Sequence, residues 1–224
     1  MSMSLSRRMT AEFLGTAFLV AAVVGSGVMG ERLAGGNVAL ALLANTIATG
    51  AALVSLILTF GPISGAHLNP VVSLVEAAGG GLPWRETFPY VASQVLGGIS
   101  GTVAAHLMFS LPAISFSAHA RGGAAQVFSE FVATFGLVVV LKSAPRNAIA
   151  YGVGAYITAA YWFTASTSFA NPAVTVARCL SDTFAGIRPS DVSWFVVAQI
   201  FGGLTAFLLV RWLAAEFENR TSPE

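Results

Sequence analysis

Six long apolar stretches, separated by short polar or glycine-rich breaks, run near 10–30, 37–60, 87–110, 126–142, 147–165 and 192–214. A helix that crosses a bilayer needs about 20 apolar residues. The pattern therefore predicts six transmembrane helices, the fourth of them short. Two further apolar stretches do not read as spans, because each contains Asn-Pro, at Asn69-Pro70 and at Asn171-Pro172. Asparagine is a favoured N-cap and proline suits the first helical position. Each pair thus starts a helix inside the hydrophobic region. The expectation is two half-helices whose N-termini, carrying partial positive charge and unpaired N–H donors, meet near the bilayer midplane.

Composition agrees. The 224 residues are 55% hydrophobic and 9% charged, against roughly 25% charged in a soluble domain. A net charge of +1 with no basic cluster gives no reason to expect a nucleic acid partner. A single cysteine, Cys179, excludes an internal disulfide and a thiolate metal cluster, and neither metal nor cofactor is expected. Arg7 and Arg8 precede a span too long for a signal-peptide core. With the N-terminus inside, Arg7, Arg8, Arg85, Lys142, Arg146, Arg211 and Arg220 fall on the cytoplasmic side, and Arg32, Arg121, Arg178 and Arg188 outside. That bias places both termini in the cytoplasm.

The chain repeats itself. Ala11–Thr16 matches Ser129–Thr134, Asn69–Ser73 matches Asn171–Thr175, and Val91–Gly98 matches Val196–Gly203, in the same order. The reading is a single channel-like domain over 1–224, with repeats at about 8–110 and 126–214. Three spans per unit force the second to enter the membrane upside down, which puts a site at the pseudo-two-fold axis. Glu12 to Asn69 is 57 positions and Glu130 to Asn171 only 41, so the second half has either lost connecting residues or has short helices.

Irregular backbone inside a bilayer must be buried in protein or line water. The loops ahead of the two Asn-Pro pairs, Gly61–His67 and Ser166–Ala170, are rich in permissive and hydroxylated residues. Two positive helix ends aimed at one point oppose cations, while the Asn amides can donate to a neutral hydroxylated solute. Glu12 and Glu130 sit inside predicted spans, and their symmetry points to supporting the loop backbone rather than moving protons. A gradient-coupled transporter would need a coupling-ion site that is not evident beyond this pair. The proximity of Ser64 and His67 alone does not make a hydrolase, so no enzyme is expected.

The twin motifs, Ser64–Val71 and Phe169–Ala173, together with Glu12 and Glu130, resemble the aquaporin or major intrinsic protein family over nearly the whole chain. The resemblance implies an all-α membrane protein of six transmembrane helices plus two re-entrant half-helices. It also implies a pore in each subunit and a homotetramer in the plasma (inner) membrane. Small neutral solutes such as water and glycerol-like polyols would pass. The pore motifs are then Asn69, Pro70 and Val71, with valine in place of the usual alanine beside the constriction, and Asn171, Pro172 and Ala173.

The family carries an arginine three residues after the second asparagine, where this chain has Val174. Arg178 lies one turn further, towards the outer vestibule. Carrying over the remaining filter positions gives Thr49, Ala159 and Ser168. Four small or medium side chains without a fixed charge imply a wide filter, and a water-selective pore is the alternative. Ala177–Pro189 resembles a bacterial subgroup associated with arsenic resistance, which implies neutral As(OH)3 as a further candidate solute. His67 either lines the inner pore or bonds the loop. Cys179 reads as a packing thiol, and Trp84, Trp194 and Tyr90 as interface anchors. Tyr161 and Trp162 lie near the second loop, where they either narrow the pore or, as the default, pack between helices.

Overall fold

The computed structural model describes residues 3–221, with side chains to residue 214. The side chain of Arg220 lies outside that range. The elements are α1 (Leu5–Leu33), α2 (Val38–Ser64), α3 (Pro70–Ala78), α4 (Trp84–Met108), α5 (Ala124–Ser143), α6 (Ile149–Phe163), α7 (Pro172–Arg178) and α8 (Pro189–Thr221). The architecture is six membrane helices and two re-entrant half-helices, α3 and α7. Five of the six are long and apolar enough to cross a bilayer unaided. The sixth, α6, has 15 residues, about 22 Å at the helical rise, and fills the place of the fifth predicted span.

The solvent logic is that of a protein in lipid. Large apolar side chains such as Phe18, Phe88, Phe201 and Trp212 face outward, while Glu12, Gln94, Glu130 and Gln199 are fully buried. Two of the anchors read from the sequence, Trp84 and Trp194, are exposed, at the start of α4 and in the second turn of α8. Tyr90 is not an anchor. It is fully buried and its hydroxyl donates to the Ser64 carbonyl at 3.0 Å, because α4 runs behind the first re-entrant loop.

Contacts in the two halves correspond. Helix α1 packs on α2 and α4 as α5 packs on α6 and α8, and α3 touches α4 and α8 as α7 touches α8 and α4. Close approach at two of these crossings depends on glycine. A Cβ on Gly97 would strike the Phe13 carbonyl of α1, and one on Gly202 would strike the Phe131 carbonyl of α5. The unequal Glu-to-Asn spacing resolves into helix length. Helices α1 and α2 have 29 and 27 residues, α5 and α6 only 20 and 15.

Candidate functional site

The first re-entrant loop is shorter than its Gly-Pro start suggests. Helix α2 continues through Pro62 to Ser64 and stops at Gly65, whose φ of 92° is the left-handed region glycine favours. Only Gly65–Asn69 is irregular. Non-glycine residues also adopt positive φ, Ala66 (47°) and Leu68 (49°) in the first loop, Thr167 (62°), Ser168 (50°) and Ala170 (49°) in the second. Each such residue costs about 1–2 kcal/mol against ordinary backbone, so something must hold the loops.

Two buried carboxylates do so. Glu12 Oε1 accepts from the Ser64 hydroxyl (2.6 Å) and the His67 N–H (3.0 Å), and Oε2 accepts from the Leu68 N–H (2.7 Å) and Gln94 Nε2 (2.7 Å). In the second half Glu130 Oε1 accepts from the Phe169 N–H (2.9 Å), and Oε2 from the Ala170 N–H (2.8 Å) and Gln199 Nε2 (2.6 Å). The two glutamines also donate to matched hydroxyls, Gln94 to Ser73 and Gln199 to Thr175, both at 2.9 Å. Hydrogen bonds to a charged group contribute about 1.5–3 kcal/mol each, enough to offset the loop strain. Every donor on both glutamates is a loop N–H, a glutamine amide or the Ser64 hydroxyl at the end of α2, which is a supporting geometry. Gln94 and Gln199 were not singled out from the sequence, although they stand at matched positions of the third repeated segment.

At the centre the loops meet. Asn69 Oδ1 caps its own helix at the Val71 N–H (2.9 Å), and Asn171 Oδ1 caps at Ala173 (3.0 Å). Each Nδ2 crosses to the other loop, from Asn69 to the Ala170 carbonyl and from Asn171 to the Leu68 carbonyl, both at 2.7 Å. A carboxamide nitrogen has two hydrogens, so one remains on each asparagine.

Both asparagines face a cavity of about 380 Å³ that runs from Glu76 and Gly81 at one end to Tyr161 and Arg178 at the other. Its lining is asymmetric. Loop residues 64–69 and 168–171 form a polar side, and apolar stripes at four-residue spacing form the rest, Leu53 and Ile57 on α2 and Ile149, Val153 and Ile157 on α6. Val72 and Val174, each three residues after an asparagine, both line the cavity. At the Glu76 end an ion pair to Lys142 (2.6 Å) ties α3 to α5. His67 lines the cavity, and its Nδ1 lies 3.0 Å from Ser73 Oγ on α3.

The other predicted site residues divide. Thr49, Ser168, Val174 and Arg178 line the cavity together. Ala159 does not: it is exposed on the outer face of α6. The residue that reaches the cavity is Tyr161, two positions on, whose hydroxyl lies 3.2 Å from Thr49 Oγ1. Two residues along a helix do not share a face, and Tyr161 continues the Ile149–Val153–Ile157 stripe. An aromatic ring therefore stands where a methyl group was expected, while Trp162 points outward, about half exposed. Val71 also departs from expectation. Its side chain is buried in a cluster with Val138 and Phe207, directly against Gly203, and adds no bulk to the pore. Pro70, Pro172 and Ala173 likewise fix helix starts without lining the cavity.

The Tyr161 and Arg178 end of the cavity is flanked by the segment from Ser110 to Gly123. Ser115 and Ser117 N–H groups donate to the Leu180 and Cys179 carbonyls at 3.0 Å. Arg121, 6% exposed, donates to the Gly186 carbonyl (2.7 Å) and to the Ser166 and Phe184 carbonyls (3.3 Å each), clamping the second loop from outside. Burial pulls its guanidinium down to about 10. Cys179 is half-buried and packs against Phe169, Ile187 and Phe195, as a packing thiol should. No cluster of His, Cys, Asp or Glu among the described residues could hold a metal.

A model of the major intrinsic protein family matches residues 1–147 and 141–222. The chain is 55% identical over 226 residues to aquaglyceroporin AqpS of Rhizobium meliloti (strain 1021), covering 98% of this chain and 97% of that protein. It is 32% identical over 232 residues to aquaporin NIP3-1 of Oryza sativa subsp. japonica, covering 98% of this chain and 72% of that one. The fold is similar to the X-ray structure of the aquaglyceroporin from Plasmodium falciparum, with a TM-score of 0.73 and 23% identity over 92% of this chain and 95% of that one. Two capped half-helices joined tip to tip across a lined cavity, and a family match along nearly the full length, lead to one statement: the chain belongs to the major intrinsic protein family.

Proposed function

We propose that the protein is a passive channel, not an enzyme, through which water and glycerol-sized neutral polyols cross the membrane. The observation that carries this is the reciprocal pair Asn69 Nδ2 to Ala170 O and Asn171 Nδ2 to Leu68 O. It brings two positive helix ends to one point on the cavity wall and leaves each amide a hydrogen for a passing oxygen. Cations meet an electrostatic barrier there and neutral hydroxylated molecules gain hydrogen bonds. The apolar stripes opposite offer a solute no competing partners, so it need not stop.

We read the chain as one domain of two inverted repeats, in a homotetramer spanning the plasma membrane with both termini cytoplasmic. The matched Glu12 and Glu130 networks support the repeat, and the distribution of Lys and Arg supports the orientation. Neutral As(OH)3 has three hydroxyls and suits the same wall. A water-selective pore is the second reading, favoured by Tyr161 and Arg178 at one end of the cavity. Proteoliposome light scattering tests both: osmotic water flux with fast glycerol and arsenite entry supports the polyol channel. Fast water with glycerol and arsenite excluded supports the water-selective pore. Saturable flux that requires a proton or sodium gradient overturns the channel.

A further inference from the structure

The filter position after Asn171-Pro172-Ala173 is valine, yet the same end of the cavity contains a guanidinium. Arg178, in the last turn of α7, is 1% exposed and lines the cavity with Thr49, Tyr161, Ser168 and Val174. It lies four residues after Val174, on the same helix face. Helical side chains lean toward the N-terminus of their helix, and this long one reaches back over the loop that precedes α7. Its Nε donates to the Ala185 carbonyl. Its guanidinium carbon sits 3.4 Å from the centroid of the Phe169 ring, which Phe195 supports edge-on at 5.3 Å. The head group is therefore held from two sides.

Two polar atoms at this end are buried without a protein partner, Arg178 Nη1 and Ser168 Oγ. Buried donors of this kind are rare and call for a partner. Arg121 stacks on the same ring at 5.1 Å but directs its nitrogens at loop carbonyls and does not line the cavity. Building on the channel reading above, we propose that Arg178 is the specificity-determining cation of this filter. Its Nη1 and the Ser168 hydroxyl engage the oxygens of a neutral solute, and its charge turns monovalent cations away. The filter has moved its cation one turn along the half-helix.

The test uses the full-length protein in proteoliposomes, as wild type, Arg178→Leu and Arg178→Lys. Water and glycerol fluxes are read by light scattering, and proton leak by an enclosed pH dye. Losing a fixed charge from a low-dielectric constriction is expected to raise proton leak per unit water flux about tenfold or more in Arg178→Leu. Its glycerol-to-water ratio should change at the same time. Arg178→Lys, which keeps a cation but loses the flat stack on Phe169, is expected to hold leak near wild type while shifting the glycerol-to-water ratio. A folded Arg178→Leu protein with wild-type leak and ratio overturns the proposal. If that variant does not fold, an unshifted ratio in Arg178→Lys overturns it instead. A wild type with no flux above empty vesicles overturns the channel reading itself, and this proposal with it.

Discussion

Replacing Glu130 by glutamine removes one charge and no volume, and the structure says what that costs. The carboxylate accepts from three donors: the Phe169 N–H, the Ala170 N–H and Gln199 Nε2. Glutamine offers one oxygen. If the oxygen stays with Phe169, the new NH2 faces Ala170 and Gln199. Gln199 can turn its unpartnered Oε1 to the new amide only by withdrawing Nε2 from the Thr175 hydroxyl, and the Ala170 N–H cannot turn away. If the oxygen faces Ala170, the Phe169 N–H is orphaned instead. Either way one buried backbone donor is lost, at about 1–3 kcal/mol, and each surviving bond falls from a charged to a neutral one, about 1 kcal/mol apiece. The total is about 3–5 kcal/mol, concentrated on a loop already in left-handed backbone. We expect Glu130→Gln to lower the unfolding temperature in detergent by roughly 10 °C and to yield little monodisperse protein. Such protein as folds should keep wild-type ion exclusion. A variant of wild-type stability with altered proton permeability would refute the supporting role and make Glu130 a transport residue.

Val174→Arg puts a second guanidinium four residues from Arg178 on the same face; glycerol flux should fall more than water flux in the light-scattering assay. Gly97→Leu drives a side chain into the Phe13 carbonyl and should cost at least about 1–3 kcal/mol through overpacking. Gly202→Leu should do the same at Phe131, both read as loss of the monodisperse peak on size exclusion. In the segment between α4 and α5, burial, then the guanidiniums of Arg121 and Arg178, hold His119 below its ordinary 6.5. The unfolded chain then binds more protons in the window just below that value, so stability falls as pH falls through it. Unfolding temperature should therefore be lower at about pH 5.5 than at about pH 7.5, with the difference reduced in His119→Gln.

Much of this fold is written plainly in the chain because lipid imposes it. A bilayer leaves a hydrophobic stretch few options, and Asn-Pro within one can only start a helix. The repeated Glu and Asn-Pro segments announced paired supports for the two loops, and the third repeated segment, with Gln94 and Gln199, turned out to complete them. The filter was harder. Ala159 came from counting along the motif, and counting cannot see that α6 leaves helical geometry at Thr164. The four-residue stripe from Ile149 through Ile157 pointed to Tyr161 and was the better guide. Val71 misled for a related reason: adjacency to Asn69 in sequence says nothing about which face of α3 a side chain takes. Gly203, small and opposite, was the hint. Tyr90 near a predicted span end had the pattern of an anchor, and only the path of the first loop behind α4 buries it.

The crossed amide bonds at the centre carry a consequence for biogenesis. Asn69 is completed by a carbonyl made 101 residues later, and Asn171 by one made 103 residues earlier. Residues 1–123, synthesised alone, would thread their helices into the bilayer with the first hairpin tip unsatisfied. Neither fragment can finish its own aperture, so two separately expressed halves should remain shut until they find each other.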